Sequence, residues 1–475
     1  MKKNSLNEYS MITNKFKKLN LSFILDFLIL KISILIFKSG IKLKIYKITL
    51  IGYFLQIIHQ ADHNSFYYLK NIFLNKNKKY IILLQKDGFN QDTAYIKKEL
   101  KNFDSIYISR KLTREIANCF FTKDIDDNNY QSASPFHNRA KKKCFDFYNY
   151  LFYNLPNRMK PKGILTGNFG YFAEQELFKA ATKNNIKAIA IHKECIKSNV
   201  YKYIYSVRRN IFSGSMVLVY NNIEKELEIN TGVVDLKKTK IRVTGCPRID
   251  YAHALRNKYP NLNKHKVILF GLGLLTGMPI IPRKSYDKKN PHYEYLDRND
   301  KKLKWEILIN KLCSSFYETA YHNPEIEFLV KLKSTFRDSH TMLEFFQEKE
   351  NLNNLKILQK GNSIDLLIDS SIAIGFNTTC VFEAVARGIP VIVPNFGECL
   401  DDKYKNHFTD LRNSGLLIVN SEIELITKLK ELLNKKPKVK NKLLNFEKDL
   451  LNKWVGNSDG KASDRMIYEL KKELS

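Results

Sequence analysis

Cysteine is scarce in this chain, and its spacing does not suit a metal site. The 475 residues include seven cysteines, an odd number, and no two of them form a Cys-x-x-Cys pair. Scattered thiols of this kind are typical of a reducing compartment, and they exclude a disulfide framework or a zinc-binding module. No triplet of acidic residues stands out as a metal ligand set either. We therefore expect neither a bound metal nor another cofactor.

Long uncharged apolar runs are also missing. Residues 1–18 are polar, and the apolar stretch 21–37 is interrupted by Asp26 and Lys31, so it is too short to span a bilayer and no cleavable signal is recognised. A cytoplasmic protein is expected. A second apolar stretch, 41–58, carries lysines near its start. Two such helices could lie on the inner face of a membrane, or pack as a buried pair on the first domain, which we favour.

Acidic residues are strongly outnumbered by basic ones. The chain has 79 Lys and Arg against 48 Asp and Glu, which gives a formal net charge of +31. The lysines are dispersed, and there is no compact arginine-rich arm, zinc finger or RNA-binding aromatic motif, so we expect no nucleic-acid partner. A dispersed basic excess instead favours phosphorylated ligands and anionic membrane surfaces.

From Lys79 onward, short apolar runs alternate with helical patterns. This alternation is typical of α/β folds with parallel sheets, and a chain of this length holds two or three domains. The alternation starts again after a turn at 241–250, which we interpret as a hinge. The predicted division is an N-terminal helical region over 1–78, a Rossmann-like domain over 79–240, a second one over 241–430, and C-terminal helices over 431–475 that pack back on the domains.

The stretch 363–394 predicts a strand–helix–strand unit. A buried strand over 370–374 is followed by a turn, a helix over 378–387 that stops at Gly388, and a second strand over 389–393. The connection between such strands makes them parallel. The carboxyl end of the first strand and the start of the helix then form one edge of the sheet.

An anion site is expected at the start of that helix. Asn377, Thr378 and Thr379 lie where free backbone N–H groups and the positive end of the helix dipole meet, and the threonine hydroxyls add donors. Glu383 follows one helical turn after Thr379 on the same face. A carboxylate there could accept hydrogen bonds from a ribose diol, or it could be a solvated helix residue beside a simple Asn cap.

In the first half, polar side chains follow the predicted strands. Ligands of open parallel sheets bind beyond the carboxyl ends of the strands. The residues in such positions are Asp87, Asn168, Tyr171, Glu174, His192 and Glu194. Each could also be a helix cap or a local hydrogen-bonding group. His192 and Glu194 are the candidates for a general base.

The second half adds three cationic or glycine-rich features. Arg248, in the turn Gly245–Asp250, could contact a phosphate in a bidentate manner or form an ion pair with Asp250. Gly271 and Gly273 follow a strand over 266–270, but their spacing is one residue too long for a dinucleotide fingerprint, so NAD binding is rejected. They could still let a ligand approach the backbone. Lys333 could face a pyrophosphate or extend into solvent.

Three segments together carry a family resemblance. The turn Gly245-Cys246-Pro247-Arg248-Ile249-Asp250 resembles an element of bacterial surface-carbohydrate and CDP-glycerol transferase-like proteins. The segment 377–391, with Asn377-Thr378-Thr379 and Glu383-Ala384, resembles their donor-binding segment. The stretch 459–465 resembles a C-terminal element of capsule and lipopolysaccharide synthesis proteins. The resemblance covers residues from about 160 to the end.

The resemblance implies a GT-B-like fold, with two Rossmann-like domains facing a cleft, and a metal-independent glycosyltransferase. The implied partners are a nucleotide-sugar donor and a glycan or lipid-linked acceptor. In this interpretation the donor is bound by Arg248, Gly271, Gly273, Lys333, Asn377, Thr378, Thr379 and Glu383. The acceptor side consists of Asp87, Asn168, Tyr171 and Glu174, and the catalytic base is Glu194 or His192.

Three alternatives stay open at the level of sequence. They are a CDP-glycerol-type glycerophosphotransferase, a UDP-N-acetylglucosamine 2-epimerase-like enzyme and a non-catalytic scaffold on a membrane surface. The epimerase is disfavoured because no Gly-Thr-Arg-Pro-Glu element follows the first strand. One departure from the transferase pattern is the segment 331–334, where Lys-Leu-Lys-Ser replaces a Lys-x-His-Pro element.

Overall fold

The computed structural model describes most of the chain. The described residues are 27–60, 79–84, 96, 99–100, 103–123, 125–127, 129–131, 134–193, 196, 198–208, 211–277, 303–333 and 336–475. Two of the predicted site residues, Asp87 and Glu194, lie outside the described residues, so their roles stay predictions.

Two parallel sheets of six strands each form the framework of the described chain. The first has the spatial order β2-β1-β3-β4-β5-β6 and consists of β1 (Lys79–Leu84), β2 (Phe103–Ile108), β3 (Gly163–Thr166), β4 (Lys187–Ile191), β5 (Met216–Val219) and β6 (Lys240–Val243). The second has the order β12-β11-β10-β7-β8-β9 and consists of β7 (Lys266–Phe270), β8 (Glu327–Lys331), β9 (Leu355–Leu358), β10 (Ile372–Ile374), β11 (Val391–Pro394) and β12 (Leu417–Val419). The predicted α/β, GT-B-like fold class, with two Rossmann-like units and an N-terminal helical extension, is confirmed.

Helices cover both sheets. They are α1 (27–42), α2 (Tyr46–Gln60), α3 (Arg110–Ala117), α4 (Pro135–Asn154), α5 (Phe172–Lys183), α6 (Tyr201–Val207), α7 (Asn222–Thr231), α8 (Ile249–Lys258), α9 (Glu306–Tyr321), α10 (Phe336–Gln347), α11 (Ser363–Leu366), α12 (Cys380–Arg387), α13 (Glu422–Leu433), α14 (Asn445–Val455) and α15 (Ala462–Leu474). The inner strands β3, β5, β7, β10 and β11 are buried along their whole length, as parallel strands must be when both faces are packed, whereas the edge strands β6 and β9 are partly exposed.

The N-terminal helices α1 and α2 pack on the first unit through one face. Phe37 and Tyr53 are buried, and Phe37 and Tyr46 make edge-to-face contacts with Phe147 of α4, with ring centroids 6.3 and 5.4 Å apart. The two helices therefore pack on the first unit, as predicted from the sequence, but only one face of the pair is buried. None of the described helices is long and apolar enough to cross a membrane.

The C-terminal helices return from the second unit to the first. Met466 and Leu470 of α15 belong to the same buried cluster as Ile81 and Leu165 of the first sheet. The carboxylate of Glu473 forms ion pairs with lysines of β4 and β6 at 3.4 and 2.9 Å. The last helix thus completes the core of the first unit.

The chain crosses between the units twice, and the two crossings touch each other. Gly245 and Gly456 both have positive φ, +84° and +60°, and a Cβ atom on Gly245 would lie 2.4 Å from the carbonyl oxygen of Gly456. Asp250 accepts hydrogen bonds from the backbone N–H groups of Ala462 and Ser463, at 3.0 and 2.7 Å. Two of the sequence segments that carry the family resemblance therefore interlock at this crossing.

Candidate active site

The helix α12 begins two residues later than predicted, at Cys380. Asn377 does not cap this helix, because its side chain binds another loop. Asn377 adopts a left-handed conformation with φ +48°. Its side-chain amide donates to the carbonyl oxygen of His407 at 3.2 Å and accepts from the N–H of Thr409 at 3.3 Å. The side chain thus ties the loop before β12 to the edge of the second sheet, and the first helical residue is Cys380 rather than Thr378.

The start of α12 keeps polar groups available to a ligand. In the described chain, no protein acceptor is found for the backbone N–H groups of Thr378 and Thr379. The residue at the N-cap, Thr379, makes no capping hydrogen bond through its side chain. Unpaired N–H groups at a helix start favour an anion, because the helix dipole adds to their positive character.

A cavity of about 160 Å³ opens in front of this helix start. Four chain segments form its wall: the ends of β7 and β8, the residues before α11, and the start of α12. Its polar and glycine residues include Gly271, Lys331, Lys333, Gly361, Ser363 and Thr378. Three of the predicted donor residues, Gly271, Lys333 and Thr378, are therefore brought together, although Gly271 and Thr378 lie 107 residues apart in the chain (378 − 271).

Lys333 is the cation best placed to act in this cavity. Its ammonium group donates to the hydroxyl of Thr276 at 2.9 Å, and the N–H of Gly273 donates to the same hydroxyl at 3.0 Å. Lys331 is different, because its ammonium group donates to the carbonyl oxygens of Leu332 and Gln359, and burial lowers its pKa. Gly273 and Lys333 thus share the hydroxyl of Thr276, while the N–H of Gly271 donates to the carbonyl oxygen of Lys331 at 2.8 Å.

Gly271 has a packing reason to be glycine. A Cβ atom there would lie 2.9 Å from the Cα atom of Leu332. The close approach of β7 to the end of β8 therefore requires glycine, whether or not a ligand approaches this backbone.

Glu383 and Arg248 form a pair behind the cavity. Glu383 is 2% exposed; one carboxylate oxygen accepts from the hydroxyl of Ser363 at 2.7 Å, and the other lies 3.9 Å from Nε of Arg248. The alternative ion pair of Arg248 with Asp250 is not formed, because Asp250 is engaged by the C-terminal segment. A ribose diol would have to share the Glu383 carboxylate with these partners.

Cys380 lies between the hydroxyls of Thr378 and Ser363. Burial raises the pKa of its thiol to about 12, and the carboxylate of Glu383 acts in the same direction. The thiol is therefore neutral at physiological pH, and it contributes an uncharged wall to the cavity.

The acceptor-side candidates cluster at the carboxyl end of β3. The side-chain oxygen of Asn168 accepts from the N–H of Gly170 at 2.7 Å, which fixes the turn before α5. The ring of Tyr171 lies under the guanidinium of Arg110, and the fully buried Glu174 accepts from the hydroxyl of Thr166 at 2.8 Å. Each of these side chains has a local structural partner.

His192 is buried at the end of β4 and is 1% exposed. Its Nε2 atom lies 3.0 Å from the hydroxyl of Tyr205 and 3.0 Å from a carboxylate oxygen of Glu224. The ligand atoms of His192, Glu224 and Glu228 all lie within 4.8 Å of one another, so these are the described residues that could hold a metal ion. As a general base His192 would first have to be uncovered, and that role stays a prediction.

A second and larger cavity of about 790 Å³ separates the two units. Its wall combines the loop after β4, the loop before β12 and one face of α14. The sequence-based assignment missed its main residues, Ser198, Asn199, Lys405, Thr409, Lys453 and Trp454. Two of these, Ser198 and Thr409, have buried hydroxyl oxygens with no hydrogen-bond partner among the described residues. The only sequence signal was Trp454, one of two tryptophans in the chain.

The sequence matches no protein-family model and no curated protein sequence. Among solved structures, the chain is similar to UDP-GlcNAc 2-epimerase from Neisseria meningitidis bound to UDP-GlcNAc, with TM-score 0.43, 13% identity, and coverage of 83% of this chain and 100% of that one. It is also similar to a UDP-forming α,α-trehalose-phosphate synthase from Burkholderia xenovorans, with TM-score 0.44, 8% identity, and coverage of 84% and 98%. A glycosyltransferase from Rickettsia africae gives TM-score 0.44, 16% identity, and coverage of 84% and 99%. At these values the likeness carries no argument about activity, so the function is inferred from the site.

Proposed function

We propose that the chain is a glycosyltransferase that uses a nucleotide-activated sugar, and that the second unit binds the donor. The observation that supports this proposal is the cavity in front of α12. There, the backbone N–H groups at the start of α12, the hydroxyl of Thr378 and the ammonium group of Lys333 converge from separate segments. Such a set of donors suits the two phosphates of a nucleoside diphosphate.

Each group at this edge has a role in the proposal. The N–H groups of Thr378 and Thr379 bind the phosphates, and Lys333 with Arg248 balances the charge that develops on the departing nucleotide. The carboxylate of Glu383 accepts a hydrogen bond from a ribose hydroxyl and keeps Arg248 in place through their ion pair. Because fixed cations and a helix start supply the positive charge, no metal is part of this proposal.

The acceptor enters from the side of the first unit. The cavity between the units is large enough for part of a glycan or a lipid-linked sugar, and Trp454 offers a flat apolar surface to a sugar ring. The residues proposed for the acceptor side are Asp87, Asn168, Tyr171 and Glu174, and the proposed base is Glu194 or His192. The resemblance of the segments 245–250, 377–391 and 459–465 supports a place in surface-polysaccharide synthesis.

The proposed step is a displacement at the anomeric carbon. The acceptor hydroxyl oxygen forms the new bond to that carbon while the bond from the carbon to the phosphate oxygen breaks. The base takes the hydroxyl proton, and the nucleoside diphosphate leaves with the bonding electron pair. Closure about the turn at 245–250 would exclude water from the cleft.

A thermal-shift screen tests the donor proposal. The purified protein is heated with UDP, GDP and CDP, with the matching monophosphates and nucleosides, and with their sugar or glycerol conjugates. A ligand that binds only the folded state raises the apparent stability, by about 2.7 kcal/mol at one hundred times its Kd. We expect one nucleoside diphosphate to raise the melting temperature more than its monophosphate and far more than its nucleoside.

Three results would contradict the proposal. No shift with any nucleotide on a folded sample would remove the donor site. Conversion of a nucleotide sugar in the absence of any acceptor would instead indicate an epimerase. A selective response to CDP-glycerol would identify a glycerophosphotransferase in place of a sugar transferase.

A further inference from the structure

The outward face of α1 is apolar although it lies at the surface. Leu28, Ile32 and Leu35 recur at the i, i+4 and i+7 positions and are exposed, Leu35 to 66%. Ser33 and Phe37 point the opposite way and are buried against the first unit. The inward face attaches this helix to the first unit, and packing against the described residues does not explain the apolar character of the outward face.

The turn that follows α1 extends the same surface. Leu43 and Ile45 are exposed there, Leu43 to 61%, and Ile51 of α2 is exposed as well. Seven of the 21 large apolar side chains that are exposed in the described part of the chain lie between Phe27 and Ile51. This clustering within 25 residues sets the surface apart from the scattered apolar residues that any protein exposes.

The charged side chains of the segment 27–60 are all lysines. The segment 27–60 contains five lysines, at positions 31, 38, 42, 44 and 47, and no Asp or Glu. All five are exposed, and of these Lys38 is paired, with Glu115 at 2.6 Å. Lysines that border exposed Leu and Ile can keep their ammonium groups at a charged interface while their stems lie along apolar surface.

We propose that the outward face of α1 and the turn 42–47 bind the surface of an anionic lipid bilayer. A helix with an apolar face bordered by lysines lies in the plane of the interface, with its apolar side chains between the headgroups. Anionic headgroups complement the lysines, and each basic residue near such a surface adds to the attraction. A water-soluble protein partner of the same surface would need acidic residues around an apolar groove, and a second copy of this chain would bring like charges together.

Vesicle flotation of the full-length chain tests this inference. Vesicles of phosphatidylcholine with one quarter phosphatidylglycerol are compared with vesicles of phosphatidylcholine alone, at low and at high salt. We expect binding to the anionic vesicles only, and we expect it to weaken as salt screens the lysines. The double variant Leu35→Glu/Leu43→Glu should bind at least about tenfold more weakly, because it places two charges in the apolar face.

A matched variant controls for changes in folding and charge. Leu400→Glu/Ile423→Glu alters two apolar side chains of the second unit that are equally or more exposed, at 65% and 77%, and should bind vesicles like the wild type. Equal binding to neutral and anionic vesicles, or equal loss in both variants, would overturn the proposal. The proposal would also be overturned if the wild type formed a stable dimer and did not bind vesicles, and if Leu35→Glu/Leu43→Glu dissociated that dimer. The rise in melting temperature with nucleotide should be the same in these variants as in the wild type. The vesicle test therefore fails or succeeds independently of the donor proposal.

Discussion

At the scale of single residues, the site is built from side chains that meet only in the folded chain. Lys333 contacts Thr276, and Glu383 contacts both Ser363 and Arg248. These contacts give each polar group a fixed direction. A fixed direction matters for phosphate binding, because a preoriented donor loses less conformational freedom when the ligand arrives.

Replacing Lys333 tests its assigned role. Lys333→Met keeps the apolar stem and removes the charge, so nucleotide Kd should rise about tenfold, as expected when one charge-assisted hydrogen bond is lost. Calorimetric titration of the nucleotide chosen by the screen measures this. Lys356→Met is the control, because Lys356 pairs with Glu327 at the far edge of the sheet. Equal Kd values in both variants would remove Lys333 from the donor site.

Buried thiols predict a loss of stability at alkaline pH. Burial raises the pKa of Cys399 to about 12, and Glu398 adds to the shift. Between an unfolded pKa near 8.5 and the folded pKa, the folded state holds a proton that the unfolded state releases, so stability falls as pH rises. From pH 7 to pH 10 this one thiol should cost about 2 kcal/mol in the free energy of unfolding.

Urea titrations at pH 7 and pH 10 measure that dependence. The wild type should lose more stability between the two pH values than Cys399→Ala does, whatever the stability of the variant at pH 7. An identical pH dependence in the two proteins would contradict the assigned burial of Cys399.

At the scale of elements, the sequence predicted strands and helices well where the pattern is local. The strand β7 has its predicted bounds, Lys266–Phe270, and the predicted strand–helix–strand unit is present as β10, α12 and β11, whose two strands pair in parallel. The prediction was less accurate at α12, since Asn377 is left-handed and its side chain forms hydrogen bonds with the loop 407–409, so that the helix begins later in the chain. These hydrogen bonds join Asn377 to a segment 30 residues away, which no local pattern reveals.

The helix α15 depends on a residue outside its own segment. Asp250 accepts two backbone N–H groups of its first turn and also the side-chain amide of Asn457, at 2.6 Å. Asp250→Ala should therefore lower the free energy of unfolding by about 2 kcal/mol, since it removes a cap and leaves donors unpaired. Asp464→Ala, on the exposed side of the same turn, should cost well under about 1 kcal/mol. Urea denaturation compares the two, and equal losses would contradict the capping role.

At the scale of the whole molecule, two Rossmann-like units are joined where Gly245 and Gly456 meet. The fold class followed from the alternation of strand and helix, but the crossing did not, because it depends on how the C-terminal segment returns to the first unit. The same holds for the cavity between the units, whose loops carry no distinctive motif. The sequence therefore indicated the residues of the proposed donor site more fully than those of the cavity between the units.

Substitution at the crossing should be much more costly than at an ordinary turn. Gly245→Ala introduces a Cβ atom 2.4 Å from a carbonyl oxygen, whereas Gly232→Ala has the same kind of positive φ, +63°, but open space around it. Gly232→Ala should cost about 1 kcal/mol from backbone strain alone, and Gly245→Ala at least about 2 kcal/mol more. Chemical denaturation of both variants measures the difference. Similar losses in the free energy of unfolding would show that the two backbone segments at the crossing can move apart to admit a Cβ atom.

The most direct test of the account is hydrogen–deuterium exchange of the full chain with and without the nucleotide that gives the largest thermal shift. The account predicts slower exchange in two segments, the loop 271–277 and the start of α12 at 375–383, because these backbones surround the proposed phosphate site. Protection confined to the first unit, with both segments exchanging as in the free protein, would contradict a donor site in the second unit.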